Sequence, residues 1–122
     1  MVVSGPEIRL RARSAETLAL AVHELATNAV KYGALSIPDG RIAVTWRAED
    51  RGSVPWLVLD WAEDGVPDPM PGRRGFGTEL LEQTLPYELK AEVEQEFGLN
   101  GLRCRIAFPL TDHGVPSGAP AR

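Results

Sequence analysis

An apolar stripe with a helical period, closed by a glycine, constrains this chain more than any other feature. Leu18, Val22, Leu25, Ala29 and Tyr32 recur at i, i+4, i+7, i+11 and i+14, which is one face of a helix. The spacing predicts a helix over residues 14–32. Ser14 is placed to cap its first turn, Glu16 stands where the helix dipole favours an acid, and Gly33 can take the left-handed conformation that stops a helix. Glu24, Asn28 and Lys31 form a second set at i, i+4 and i+7. At about 100° per residue they make a polar stripe along the edge of the apolar face. The carbonyl oxygen of Asn28 suits a hard cation such as Mg2+, which takes oxygen ligands and shares them with phosphates. Glu24 can position or deprotonate a nucleophile, and Lys31 can neutralise phosphate charge. The plainer reading of the same stripe is a solvated flank.

The remaining chain alternates between strand patterns and breakers. Residues 7–13 place Ile8, Leu10 and Ala12 between charged neighbours, the mark of a half-exposed strand near a sheet edge. Pro38, Asp39 and Gly40 signal a turn. Residues 41–49 alternate again, with Ile42, Val44, Trp46 and Ala48 to one side. A short polar turn over 50–53 then leads to residues 54–62, which are almost continuously apolar and predict a central strand, antiparallel to the one before. Residues 63–77 hold four glycines and three prolines and read as a long functional loop. A short helix is expected over 78–85, stopped by Pro86. A last hairpin pairs residues 89–97 with 102–108: with Phe97 opposite Leu102, Glu96 faces Arg103 and Glu94 faces Arg105. Slipping this pairing by one residue turns the apolar set outward, so charge and core agree on the register.

The order strand, helix, two strands, loop, helix, two strands predicts an α+β fold, a two-layer α/β sandwich with helices on one face of a mixed, mainly antiparallel sheet. At 122 residues, one domain over residues 1–110 accounts for the chain, with 111–122, rich in Gly, Pro and Ala, expected as a disordered tail. The net charge of −4 argues against a nucleic-acid surface. No apolar run approaches membrane-spanning length, so no direct membrane contact is expected. The single cysteine, Cys104, excludes an intrachain disulfide and points to a reducing, cytoplasmic setting.

Two further segments carry chemistry. Gly75, Phe76, Gly77 and Thr78 put glycines immediately before the second helix, where phosphates can approach the backbone and meet the N-terminal N–H groups. Arg73 and Arg74 beside them can add charge-assisted contacts. The pattern lacks the third glycine of a dinucleotide fingerprint and is not a P-loop. Trp61, Glu63 and Gly65 close the central strand. A carboxylate there can accept from an adenine amino group, with Gly65 letting the base near the backbone. Trp61 reads equally well as core packing, and Glu63 as an exposed strand-end acid.

Taken in order, these segments resemble the ATP-binding catalytic domain of the HWE subfamily of histidine kinases, within the GHKL ATPase superfamily. The first box is similar to residues 23–36, beginning at His23; the second is carried by Trp61 and Glu63, and the third by Gly75, Phe76, Gly77 and Leu80. The resemblance covers roughly residues 5–110. It implies ATP and Mg2+ as cofactors, Asn28 as the Mg2+ ligand, and Glu24 helping to hold Mg2+ or the γ-phosphate. It implies Lys31 and Tyr32 near phosphate and nucleotide, Glu63 at the adenine-binding acid's position, and Gly65, Gly75 and Gly77 as nucleotide-box glycines. Arg73, Arg74, Phe76 and Thr78 belong to the same expected nucleotide site. His23 marks the family without an assignable role. Two departures stand out: Val66 follows Gly65 where the family often has a second glycine, and Lys90 stands near a position that is often glycine.

The implied function is that of a two-component sensor histidine kinase's catalytic domain, passing the ATP γ-phosphate to a histidine on a separate dimerisation domain, with a response regulator downstream. No phosphoacceptor domain fits within the chain, which predicts a fragment or a stand-alone domain acting in trans. The alternatives are an anti-sigma-type serine/threonine kinase or partner-switching module, and a non-catalytic interaction domain.

Overall fold

A computed structural model of the chain describes residues 1–66, 80–98 and 101–110. Among the described residues five strands form one sheet in the order β1-β2-β3-β5-β4: β1 (Val2–Ser4), β2 (Arg41–Arg51), β3 (Val54–Asp64), β4 (Glu92–Gly98) and β5 (Gly101–Pro109). Only β1 and β2 run parallel; the other neighbours are antiparallel. Helix α1 (Ala12–Tyr32) and the short α2 (Leu85–Leu89), which continues a wide π-type turn at Leu80–Thr84, pack on one face. The expected α+β two-layer arrangement is the observed one, with β3 at the centre of the sheet. No helix among the described residues is long and apolar enough to cross a membrane.

The core follows from strand alternation. Leu57, Leu59 and Trp61 of β3 stand opposite Phe108, Ile106 and Cys104 of β5. Val44 and Ile42 continue the same face on β2. Ala21, Leu25 and Ala29 of α1 close over them, joined by Leu81, Leu85 and Leu89. Each fully buried Leu, Ile or Phe side chain contributes about 1.5–3 kcal/mol by leaving water. Cys104 lies in this layer, and burial, followed by the charges of Asp60 and Glu63, pushes its thiol up to about 12. It is a protonated, unreactive thiol at neutral pH.

Several local expectations need correction. Residues 7–13 are not a strand: the pairing with β2 is made by Val2–Ser4, and α1 already begins at Ala12. The indole N–H of Trp46 donates to the Pro6 carbonyl at 2.7 Å, and Ile8 and Leu10 then pack against the core. Arg11, not Ser14, occupies the N-cap, with no side-chain cap bond, and Glu16 falls beyond the first turn. Gly33 closes the helix through its N–H to the Ala29 carbonyl at φ −122°, outside the left-handed region. Pro86 does not end the second helix. It sits in the first turn of α2, where a missing N–H costs little.

The β4–β5 register is the expected one: Phe97 pairs with Leu102, Glu96 with Arg103 and Glu94 with Arg105. The guanidinium groups, however, turn toward β3. Arg105 meets Asp60 at 2.7 Å and Arg103 meets Asp64 at 2.8 Å. Arg47 reaches Asp60 from the other side at 3.4 Å, so the outer face of the sheet is a ladder of charge centred on β3. These pairs are solvent-exposed, and each is worth at most about 1 kcal/mol.

Helix α2 ends on Lys90, whose φ of 56° and ψ of 39° are left-handed. This conformation favours glycine. Lys90→Gly is expected to raise stability by about 0.5–1 kcal/mol, the relief of left-handed strain less the added freedom of the unfolded chain. Urea titration reads this as a higher midpoint; a lower one would contradict it.

Candidate functional site

The C-terminal half of α1 grades from core to solvent. Leu25 and Ala29 are anchored on the sheet, and Asn28 lies between them at 5% exposure. Glu24, one turn earlier, is half-buried, as is Tyr32, while Lys31 and His23 are exposed. The polar stripe expected along the edge of the helix is therefore unequal: its amide is inside, its carboxylate at the rim and its ammonium in water. An amide and a carboxylate one turn apart are hard oxygen donors, and they suit a hard cation such as Mg2+. Among the described residues no group of three or more His, Cys, Asp or Glu could hold a metal. A cation beside Asn28 and Glu24 could take further ligands from water or phosphate oxygens, as Mg2+ commonly does.

The end of β3 is built differently from a strand-end acid in water. Glu63 is 0% exposed. One carboxylate oxygen, Oε1, accepts the backbone N–H of Ala34 at 3.0 Å, and the other, Oε2, accepts the indole N–H of Trp61 at 2.7 Å. Trp61 is 1% exposed, so its ring is core and its polar edge serves Glu63. The i, i+2 spacing explains the pair, because alternate residues of a strand share a face. From the outer face, Arg103 donates to the Glu63 carbonyl at 2.8 Å.

The segment after α1 is pressed onto this strand end. Ala34–Ser36 make one 3-10 turn, tightened by the Ser36 hydroxyl donating to the Gly33 carbonyl at 2.5 Å. A Cβ at Gly40 would run into the Ala34 carbonyl oxygen. Gly65 has φ +83°, and a Cβ there would strike the Asp39 carbonyl oxygen. Gly65 is thus needed for a close approach within the chain itself. Val66, in place of the family's second glycine, is 5% exposed and fills the core.

Of the expected site, the structure places Glu24, Asn28, Lys31 and Tyr32 on α1. Glu63 and Gly65 lie at the strand end, tied to the helix's exit turn. Arg73, Arg74, Gly75, Phe76, Gly77 and Thr78 lie outside the described residues, as does the tail over 111–122. Sequence reading missed the Ala34 N–H and the joint role of Trp61 and Glu63. The available signal was the alternation itself: continuing Leu57, Leu59 and Trp61 by two puts Glu63 on the core face.

No protein-family model matches the chain. A blue-light-activated histidine kinase of Brucella ovis is 45% identical over 116 residues, which is 93% of this chain and 24% of that protein. The chain thus spans about a quarter of the length of the curated relatives it matches. Among solved structures, the catalytic domain of the histidine kinase ThkA superposes with a TM-score of 0.62 at 17% identity, covering 90% of this chain and 78% of that domain. The blue-light-activated histidine kinase EL346 of Erythrobacter litoralis gives 0.57 at 22% identity, over 89% of this chain and 34% of that one. By sequence the chain matches part of the histidine kinases, and by fold it matches their catalytic domains.

Proposed function

We propose that the chain is the ATP-binding catalytic module of a cytoplasmic, two-component sensor kinase of the HWE type. It binds Mg2+-ATP and gives the γ-phosphate to a histidine on a separate dimerisation domain, from which a response regulator takes it. The observation that carries this reading is the 45% identity across 93% of the chain to a protein named as a histidine kinase. The buried Asn28 with Glu24 one turn away supports it from the side of the site.

Asn28 and Glu24 are assigned to the cation, and Lys31 and Tyr32 to phosphate and nucleotide. Glu63 is assigned to the adenine amino group, Gly65 to the approach of the base, and Arg73, Arg74, Gly75, Phe76, Gly77 and Thr78 to the phosphates. Mg2+, when bound, spreads the charge of the triphosphate; the chain's own residues position it. Catalysis of phosphoryl transfer is mostly positioning and charge stabilisation, so a separate acceptor domain can supply the nucleophile.

The test is a calorimetric titration of the purified chain with Mg2+-ATP, followed by mixing with a histidine-bearing dimerisation domain from a relative. Weak but saturable heat, little turnover alone and an acid-labile phosphate on the acceptor domain are expected. Absence of heat at millimolar nucleotide would overturn the reading. Acid-stable phosphate on a serine of a partner would move it to the serine/threonine kinase relatives.

A further inference from the structure

We propose that the free edge of β4 is a docking site for an extended basic segment of a partner protein, which adds to the sheet as a further strand carrying Lys or Arg at every second residue.

β4 ends the sheet and is paired with β5 on one side only. In an antiparallel pair every second residue turns its N–H and C=O away from its neighbour strand, so the seven residues of β4 present a row of outward backbone groups. Over residues 92–96, no backbone bond from another described residue reaches this outer side. The opposite edge of the sheet is different, because β1 is only three residues long. β4 also lacks the common devices that close an edge: it has no Pro, no Lys and an unbroken register with β5. What it has instead is charge of one sign. Glu92, Glu94 and Glu96 are exposed along one face, about 7 Å apart on an extended strand.

Their mates on β5 do not neutralise this row. Arg105 bonds to Asp60 at 2.7 Å and Arg103 to Asp64 at 2.8 Å, while Glu94 and Glu96 make no hydrogen bond or ion pair among the described residues. Glu92 is held by Arg51 at 2.8 Å. The open charge of the edge therefore sits at positions 94 and 96. With Arg103 and Arg105, these two glutamates border a trough of about 430 Å3, which has room for the stem of a long side chain.

The pattern selects its occupant. A second copy pairing antiparallel through the same edge would set Glu against Glu along the outer face, and like charges directly opposite are destabilising. A strand with Lys or Arg at alternate positions brings two cations within cross-strand reach, and its backbone answers the open N–H and C=O groups. β5 shows the matching register within the chain, with Arg103 and Arg105 opposite Glu96 and Glu94. The repulsion that keeps copies apart is thus the attraction that admits a basic strand.

The experiment titrates the whole chain with three short peptides. One alternates Lys and Thr, one has the same composition with its Lys residues in a block, and one is the alternating peptide N-methylated along its backbone. Binding is read by fluorescence anisotropy, and its place by NMR shifts and exchange of the β4 amides. The alternating peptide is expected to bind, with shifts centred on residues 92–96 and slowed exchange at alternate amides there. The other two should bind about tenfold more weakly or less. Glu94→Gln combined with Glu96→Gln should weaken the alternating peptide about tenfold and leave the urea midpoint at its wild-type value, since both positions are exposed. Glu94→Lys combined with Glu96→Lys should turn the preference to a peptide alternating Glu and Thr. Equal binding of the blocked or methylated peptide would mean general attraction to acid and overturn the proposal. So would no binding of the alternating peptide, shifts confined to other strands, or unchanged affinity in the Gln variant. A chain that dimerises through β4 without peptide, or outward β4 amides already slow to exchange, would mean that the edge is covered by the chain itself, and would overturn it as well.

Discussion

Phe108→Ala is expected to remove a large part of the stability of this domain. Phe108 is 1% exposed and stands opposite Leu57 at the middle of the sheet, on the face covered by the helices. Truncating a buried Phe loses its transfer energy and leaves a cavity that close-packed neighbours do not fill, a cost of about 3–5 kcal/mol. A domain of this size holds only about 5–15 kcal/mol in total. The urea midpoint should fall by about 2 M at an ordinary slope for a small protein. Tyr87→Ala serves as the control, since Tyr87 is 83% exposed on α2 and its removal should stay within about 0.5 kcal/mol. A Phe108→Ala midpoint indistinguishable from that control would mean that the apolar layer between β5 and the helices is not packed as described.

The features legible in the sequence are those enforced by a period. The β4–β5 register follows from Phe97, Leu102, Glu96 and Arg103, because a one-residue slip exposes the apolar set and no tertiary contact can compensate. The long helix follows from Leu18, Val22, Leu25 and Ala29 for the same reason. What was not legible depends on contacts between segments distant in sequence. Residues 7–13 carry a strand's alternation, yet Ile8 and Leu10 pack against the core without pairing while Val2–Ser4, only three residues, take the sheet edge. Nothing local distinguishes the two choices. Arg103 and Arg105 face the expected glutamates but bond to Asp64 and Asp60 of β3, a choice made by a third strand. Glu63 is the most instructive case. Its chemistry reads as a solvent-facing acid, its alternation reads as core, and the conflict is resolved by two buried N–H donors, one of them 29 residues away. Such local contradictions are where function is best sought.

The second large effect is on binding rather than folding. Asn28→Ala is expected to weaken Mg2+-ATP by about 100-fold or more, since even residues that only orient a metal's ligands cost 10–100-fold when changed. That is about 2.7 kcal/mol of binding free energy. Stability should fall by about 1–3 kcal/mol, the cost of taking a buried amide from its partners, while the flanking Leu25 and Ala29 keep α1 on the sheet. The unfolding midpoint therefore separates a lost ligand from a lost fold. The cation supplies a second discriminator. Chelating Mg2+ should bring the wild-type affinity for ATP down to that of the variant, and should leave the variant where it was. If Asn28→Ala retained both its affinity and its Mg2+ dependence, the cation would be held elsewhere. The amide buried at 5% exposure on α1 would then be a structural group, and the assignment of the nucleotide to this end of the helix would have to be withdrawn.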